Sequence, residues 1–230
     1  KLMRKVTSFK LKQREKFINN LVLWLNKYNV FIFLNSNQNS KKKYYGEYDI
    51  LAGIDVVSCI KSNKNSFSKI RDYYNEKKDW IMGSLAYDLK NETEKLKSEN
   101  KEFICFDNMY FFQPKIVLII KNDKVEFHHF KNINADSLFN EILNIEFKEN
   151  LISSKIELNV RETKKEYMQK IRDIKKHIQL GDIYELNYCQ EFYSEGHKID
   201  PVQTYSLLNS KSLTPFSCFL KYHEKYLISS

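Results

Sequence analysis

Apolar side chains at Phe17, Leu21 and Trp24–Leu25 recur at helical spacing through Gln13–Asn26, and an unbroken apolar run, Val30–Leu34, follows. The first pattern predicts a helix with one buried stripe, the second a buried strand. A polar loop through Lys43 comes next, then Tyr48–Ile60, β-branched and apolar enough for one or two strands. Phe67–Lys77 reads as a helix. Trp80–Leu89 alternates loosely, as a strand does, and leads into a charged helix, Asn91–Ser98. Phe103–Phe112, Lys115–Lys121 and Lys124–Phe130 read as three strands. The turn Lys121-Asn-Asp-Lys124 joins the last two, because Asn and Asp tolerate the positive φ of a tight hairpin. Ala135–Leu143 is a short helix, and the weakly patterned stretch Phe147–Glu157 reads as a connection.

Beyond it the pattern sharpens. Thr163-Lys-Lys-Glu166 fits a capping box, in which hydroxyl and carboxylate each satisfy an orphan backbone N–H. Tyr167, Ile171, Ile174 and Ile178 then line one helical face, and Gly181 supplies a residue that accepts a left-handed cap without a Cβ clash. Asp182–Phe192 reads as a strand, Pro201–Asn209 as a helix, and Phe216–Leu220 and Tyr226–Ser229 as strands. Helices and strands mix without a β-α-β rhythm, so the expected class is α+β. The expected division is an N-terminal region, 1–150, followed by the start of a second domain, 151–230.

Composition narrows the function classes. With 42% hydrophobic and 14% aromatic residues in 230, the chain has enough apolar surface to fold, and disorder is excluded. No run approaches the ~20 apolar residues of a membrane span. The start, Lys1-Leu-Met-Arg-Lys-Val, lacks the apolar core of a signal peptide, so the expected compartment is the cytoplasm. Net charge is +9, but 38 Lys+Arg interleave with 29 Asp+Glu. The only dense basic cluster is Lys41–Lys43, and arginine, the usual reader of base edges, is sparse. Nucleic acid is therefore not an expected partner. Cys59, Cys105, Cys189 and Cys218 stand far apart without metal spacing, and are expected as free, buried thiols.

Common catalytic templates are absent: no Walker loop, no G-x-G-x-x-G, no G-x-S-x-G, no H-E-x-x-H. His128 and His129 are neighbours on one strand and point to opposite faces, so they cannot share a metal. The segment that stands out runs Ile178-Gln-Leu-Gly181-Asp182-Ile-Tyr184-Glu185-Leu-Asn187-Tyr-Cys-Gln190-Glu-Phe192. Gly181 frees the turn, and Asp182 can bond backbone N–H groups there. Polar Asn187 and Gln190 among apolar neighbours need partners, which either the fold or a ligand can supply.

This segment resembles the helix–Gly–Asp–strand signature of the chorismate-utilising enzymes. Three more stretches agree in order: Leu34-Asn35-Ser36 with Tyr45-Gly46-Glu47-Tyr48-Asp49-Ile50; Gly83-Ser-Leu-Ala-Tyr87-Asp88-Leu89; and Pro215-Phe216-Ser217-Cys218-Phe219-Leu220. Within the family, Asn187 after Leu186 and Phe216-Ser217 after Pro215 suit the aminodeoxychorismate-forming branch. The anthranilate-forming branch is the alternative, and a non-catalytic ligand-binding half is a further one.

The resemblance implies two antiparallel sheets packed together and flanked by helices. It also implies chorismate as substrate, ammonia delivered by a glutamine amidotransferase component II, and Mg²⁺ in the full-length enzyme. The catalytic glutamate, the lysine nucleophile of the aminodeoxychorismate branch and the Mg²⁺ ligands are expected downstream of Ser230, so this chain carries no catalytic or metal residue and is expected to be inactive alone. Phe216–Leu220 and Tyr226–Ser229 are expected to lack neighbours in their sheet. Implied within the chain is a pocket that holds tryptophan in relatives, lined by Ser36, Tyr45, Gly46, Glu47, Tyr48, Pro215, Phe216 and Ser217. Glu47 departs from the arginine common there and reverses the local charge. Gly181, Asp182, Tyr184, Asn187 and Gln190 carry the signature in a structural role.

Overall fold

In the computed structural model, which describes residues 3–37, 47–97, 101–146 and 156–230, the apolar runs pair into one large antiparallel sheet. The chain begins with β1 (Lys5–Lys10), α1 (Arg14–Leu25), β2 (Val30–Asn35), β3 (Ile50–Ser62), α2 (Ser66–Lys77) and β4 (Met82–Leu85). It continues through α3 (Lys90–Thr93), β5 (Met109–Lys121), β6 (Lys124–His129), α4 (Ala135–Leu143), β7 (Asn159–Val160) and α5 (Lys164–Leu180). The last elements are β8 (Phe192–Tyr193), α6 (Pro201–Lys211), β9 (Ser217–Tyr222) and β10 (Lys225–Ser229). The large sheet has eight strands in the order β1-β6-β5-β3-β2-β9-β10, with β4 also paired to β5, and β7 and β8 form a small second sheet. A large and a small antiparallel sheet with six α-helices among the described residues make the fold α+β, as the sequence predicts.

Strand alternation sorts the apolar side chains of the large sheet to its two faces. Ile116, Leu118 and Ile120 of β5 join Phe31, Phe33 and Phe219 in a core covered by helical residues: Phe17, Leu21 and Trp24 of α1, Ile142 of α4 and Tyr205 of α6. Val117 and Ile119, one residue out of phase, meet Val30, Ile32, Leu220 and Tyr222 on the other face, against Met82 and Phe112. Burying each such side chain contributes about 1.5–3 kcal/mol, so both faces hold the sheet together.

Two expected strands, Phe103–Phe112 and Lys115–Lys121, are corrected to one 13-residue strand, β5, that starts at Met109. The sequence reading broke at Pro114, which cannot donate to a ladder. Here Pro114 stands opposite Val56, where the β3–β5 register shifts before Ser58 and Asp55 takes φ +58°. A bulge tolerates the missing N–H.

Trp80–Leu89 is a strand only over Met82–Leu85, then a 3₁₀ turn at Tyr87–Leu89. Gly83 is required there: a Cβ would lie 2.0 Å from the Tyr110 carbonyl oxygen and 2.7 Å from the Phe111 ring. The charged helix expected over Asn91–Ser98 shrinks to α3; it buries no residue, and so short a helix has little to hold it. Ser98 lies outside the described residues. Glu92 of α3 nevertheless has work: its carboxylate accepts from the Ser66 backbone N–H and hydroxyl, both at 2.7 Å, and so caps α2.

β1, which the sequence pattern did not reveal, pairs with β6 along one edge. The expectation that both C-terminal strands lack neighbours fails, since β9 is flanked by β2 and β10, and β10 alone is an edge. The chain divides into two compact units, Lys1–Lys148 with Pro201–Ser230, and Glu149–Asp200. All four cysteines are free, but Cys59, Cys105 and Cys189 are exposed rather than buried. Cys218 is half-buried, and desolvation pushes its thiol up to about 11.

Candidate functional site

β2 and β9 bring two parts of the expected pocket together. Ser36 follows β2, and its backbone N–H and hydroxyl both donate to the Asp49 carbonyl, at 2.9 and 3.0 Å. Ser217 opens β9 opposite Asn35, fully buried, with its hydroxyl 3.0 Å from that of Tyr205. Tyr205 stacks on Phe219 at 5.2 Å, so Ser217 looks toward α6. Asn37 and Asn209 exchange side-chain amide hydrogen bonds at 2.8 and 2.9 Å, and Asn37 also donates to the Thr214 carbonyl, which anchors the approach to Pro215 and Phe216. Phe216 is 71% exposed.

Glu47 and Tyr48 stand elsewhere. They border a cleft of about 860 Å³ beside β1, β6 and β5, which neither Ser36 nor Ser217 lines. Tyr45 and Gly46 lie outside the described residues, as does Lys41–Lys43. In the cleft, Trp80 and Tyr48 meet Ile119 with Lys10, Lys121 and Lys124. Glu126 pairs with Lys124 at 2.6 Å and His128 at 3.1 Å, and these hydrogen bonds hold its carboxyl below the usual range. Desolvation first, and the neighbouring Glu47 carboxylate second, push the Tyr48 phenol up. None of the lining residues outside Glu47 and Tyr48 was foreseen as a site, because the cleft joins strands distant in sequence. His129 points to the other face as expected, buried, with its ring between Thr7 Oγ1 at 3.0 Å and the Phe130 carbonyl at 2.9 Å.

In the second unit the signature residues are held by local contacts. Thr163 and Glu166 form the expected capping box of α5, and Gly181 ends the helix at φ +81°. The Asp182 backbone N–H donates to the His177 carbonyl at 3.0 Å, and its carboxylate meets the His177 ring at 2.7 Å. Asp182 therefore closes the helix end. The expected strand Asp182–Phe192 is not a strand before Phe192, since a strand needs a hydrogen-bonded neighbour and β7 supplies one only at Asn159 and Val160. Gln190 donates to the Glu162 carbonyl at 3.1 Å, Tyr188 to the Glu162 carboxylate, and Glu191 pairs with Arg161 at 3.0 Å. Tyr184, at 93% exposure, and Asn187 are exposed. Among the described residues no three His, Cys, Asp or Glu side chains gather as a metal site, and no helix is long and apolar enough to cross a membrane.

The Gly83 element and the helix closed by Gly181 and Asp182 are stretches whose sequence resembles the chorismate-utilising enzymes. The family profile for chorismate binding enzymes matches residues 24–230, and the chain belongs to that family. It is similar to aminodeoxychorismate synthase component 1 of Escherichia coli (strain K12), 25% identical over 151 residues, which are 64% of this chain and 33% of that protein. Its fold is like that of MenF, the menaquinone-specific isochorismate synthase of Escherichia coli, with a TM-score of 0.53 at 11% identity over 98% of this chain and 50% of that one. The chain thus spans about half the length of that structure, and its match about a third of the curated relative.

Proposed function

We propose that this chain is the N-terminal part of the large subunit of an aminodeoxychorismate synthase, a cytoplasmic enzyme of the para-aminobenzoate and folate route. The reaction replaces the hydroxyl of chorismate with an amino group, with water leaving, and the ammonia comes from a glutamine amidotransferase component II. The observation that carries the reading is the 25% identity to aminodeoxychorismate synthase component 1 within a chain of the chorismate binding family. Residues 1–150 are the N-terminal region and 151–230 the start of the chorismate-binding domain. The catalytic groups and the Mg²⁺ ligands belong to the remainder of the enzyme.

The tryptophan-like site belongs to the same proposal. Ser36, whose hydroxyl proton is directed at the Asp49 carbonyl, keeps its lone pairs for an ammonium group. Pro215 and Phe216 are proposed beside it, whereas Glu47 and Tyr48 border the separate cleft, Ser217 is turned to Tyr205, and Tyr45 and Gly46 lie outside the described residues.

The whole gene product, incubated with chorismate, Mg²⁺ and ammonium, is expected to yield aminodeoxychorismate, resolved by chromatography. Anthranilate would move the enzyme to the tryptophan route, and isochorismate would reject amination. The 230-residue chain is expected to turn over no chorismate, and turnover by it would overturn the assignment of catalysis to the remainder.

A further inference from the structure

We propose that Asn37 is a positioning residue of the Ser36 site: through its pairing with Asn209 and Thr214 it holds Ser36 and the Pro215–Phe216 segment at a fixed separation. The inference rests on the proposed tryptophan-like site and adds the group that joins its two halves.

Ser36 and Phe216 lie far apart in the chain, and the β2–β9 register that relates them ends at the pair Asn35 and Ser217. Both halves of the site thus fall just past the ladder, where side chains must take over from strand pairing. Asn37 does so. Its Nδ2 donates to Asn209 Oδ1 at 2.8 Å and to the Thr214 carbonyl at 2.7 Å, and its Oδ1 accepts from Asn209 Nδ2 at 2.9 Å. Both amide hydrogens and the amide oxygen are therefore engaged, and the bonds span 172 positions of sequence.

The backbone supports the same role. Asn37 takes φ +51°, a left-handed conformation that asparagine tolerates better than most residues. Its own N–H donates to Asn35 Oδ1 at 2.9 Å, so the turn directly after Ser36 is held by main chain and side chain together. Asp49 completes the frame: its carbonyl accepts both Ser36 protons, and its carboxylate accepts from the Asn122 backbone N–H at 2.7 Å and from Arg14 at 3.4 Å. Asn37 and Asn209 are only half-buried, so water would satisfy either amide if they parted, and the fold would lose little. What parting removes is preorganisation: groups placed before a ligand arrives lose less freedom when it binds.

The test is a calorimetric titration of L-tryptophan into the 230-residue chain and three variants: Asn37→Gly, Asn209→Ala and the two combined. Glycine accepts the left-handed backbone and deletes the amide, while alanine suits α6 at a position that is not a proposed ligand contact. Each single replacement should weaken binding by about tenfold. The double variant should lose no more than either, because the same pair is broken in all three. Thermal unfolding verifies that each variant folds. The side-chain amide protons of Asn37 should exchange slowly in the wild type and freely in Asn209→Ala, with or without ligand. Unchanged binding in Asn209→Ala, or losses that add in the double variant, would overturn the proposal and leave the tryptophan-like site standing. A wild-type chain that takes up no tryptophan would overturn that site and this role with it.

Discussion

Replacing Asp79 with alanine isolates a buried cation. Arg4, just before β1, makes a fork with Asp79, Nε to Oδ1 and Nη2 to Oδ2, both at 2.8 Å, with side chains only 8% and 12% exposed. The same guanidinium donates to the carbonyls of Pro114 at 2.6 Å, His128 at 3.1 Å and Lys115 at 3.2 Å, and lies 4.5 Å from the centre of the Phe130 ring. Gln113 donates to Asp79 Oδ2 at 2.7 Å. One ion pair thus ties the start of the chain to the approach to β4 and to both strands of the β5–β6 hairpin. Removing one partner of a buried pair leaves an uncompensated charge and costs about 3–5 kcal/mol, a large part of the ~5–15 kcal/mol that holds a typical protein folded. At about 2–4 °C per kcal/mol for this length, Asp79→Ala should lower the melting temperature by about 6–20 °C. The apolar pair Arg4→Met with Asp79→Leu should cost less than Asp79→Ala alone. Burial raises the Asp79 carboxyl, but the hydrogen bonds from Arg4 and Gln113 outweigh it and hold the group below its ordinary value. A carboxyl depressed in the folded state stabilises above its unfolded pKa of about 3.9, and that stability is lost as pH falls through the folded value. The gap between wild type and Asp79→Ala should therefore be full at neutral pH and narrow below about pH 4. Thermal unfolding by circular dichroism reads both effects; a shift under about 2 °C at pH 7 would refute the reasoning.

Gly83→Ala drives a Cβ into the Tyr110 carbonyl and should cost about 3 kcal/mol by overpacking, read from the urea midpoint; an unchanged midpoint would mean β4 is not held at this distance. Glu92→Ala removes the cap of α2 and should cost about 1–2 kcal/mol by the same measurement, with Glu92→Gln losing less. At pH 8 a thiol raised to about 11, as Cys218 is, should be alkylated about 200-fold more slowly than an unperturbed one. Mass spectrometry should find Cys59, Cys105 and Cys189 modified first, and early modification of Cys218 would contradict its burial. No described residue of the second unit is buried, so the amides of α5 should exchange with solvent well before those of β3 and β5; equal protection would contradict that exposure.

What the chain revealed in advance was local. The capping box, Gly181, the Lys121–Lys124 turn and the run Val30–Leu34 each carry their instructions within a few residues, and each formed where expected. The errors arose where a partner far along the chain decides. Pro114 reads as a break until Val56 and the bulge are set opposite it. Lys5–Lys10 reads as nothing until β6 offers an edge. The expected pocket shows the same division, since the β2–β9 pairing sets Ser217 opposite Asn35, next to Ser36 in the chain, whereas Tyr48 borders the cleft with Trp80 and Ile119. The lysines of the cleft could not be found by spacing, because Lys10 is more than a hundred residues from its neighbours in the sheet.

The same distinction explains why the most legible segment is the least packed. A helix of 17 residues with no buried side chain lacks the tertiary packing that stabilises most protein helices, so its ends matter more. For α5 the ends are unusually complete: Thr163 and Glu166 satisfy two donors at the start, and Gly181, Asp182 and His177 close the finish. The return leg is then tied back to the beginning of the helix, through Tyr188 and Gln190 to Glu162 and through Glu191 to Arg161. Each link joins residues at most 30 apart. The polar residues of the signature thus answer one another, Asp182 to His177 and Gln190 to Glu162, and leave Tyr184 and Asn187 exposed. Within the second unit the signature's hydrogen bonds hold the turn and its return leg, and the exposed pair take no part in them.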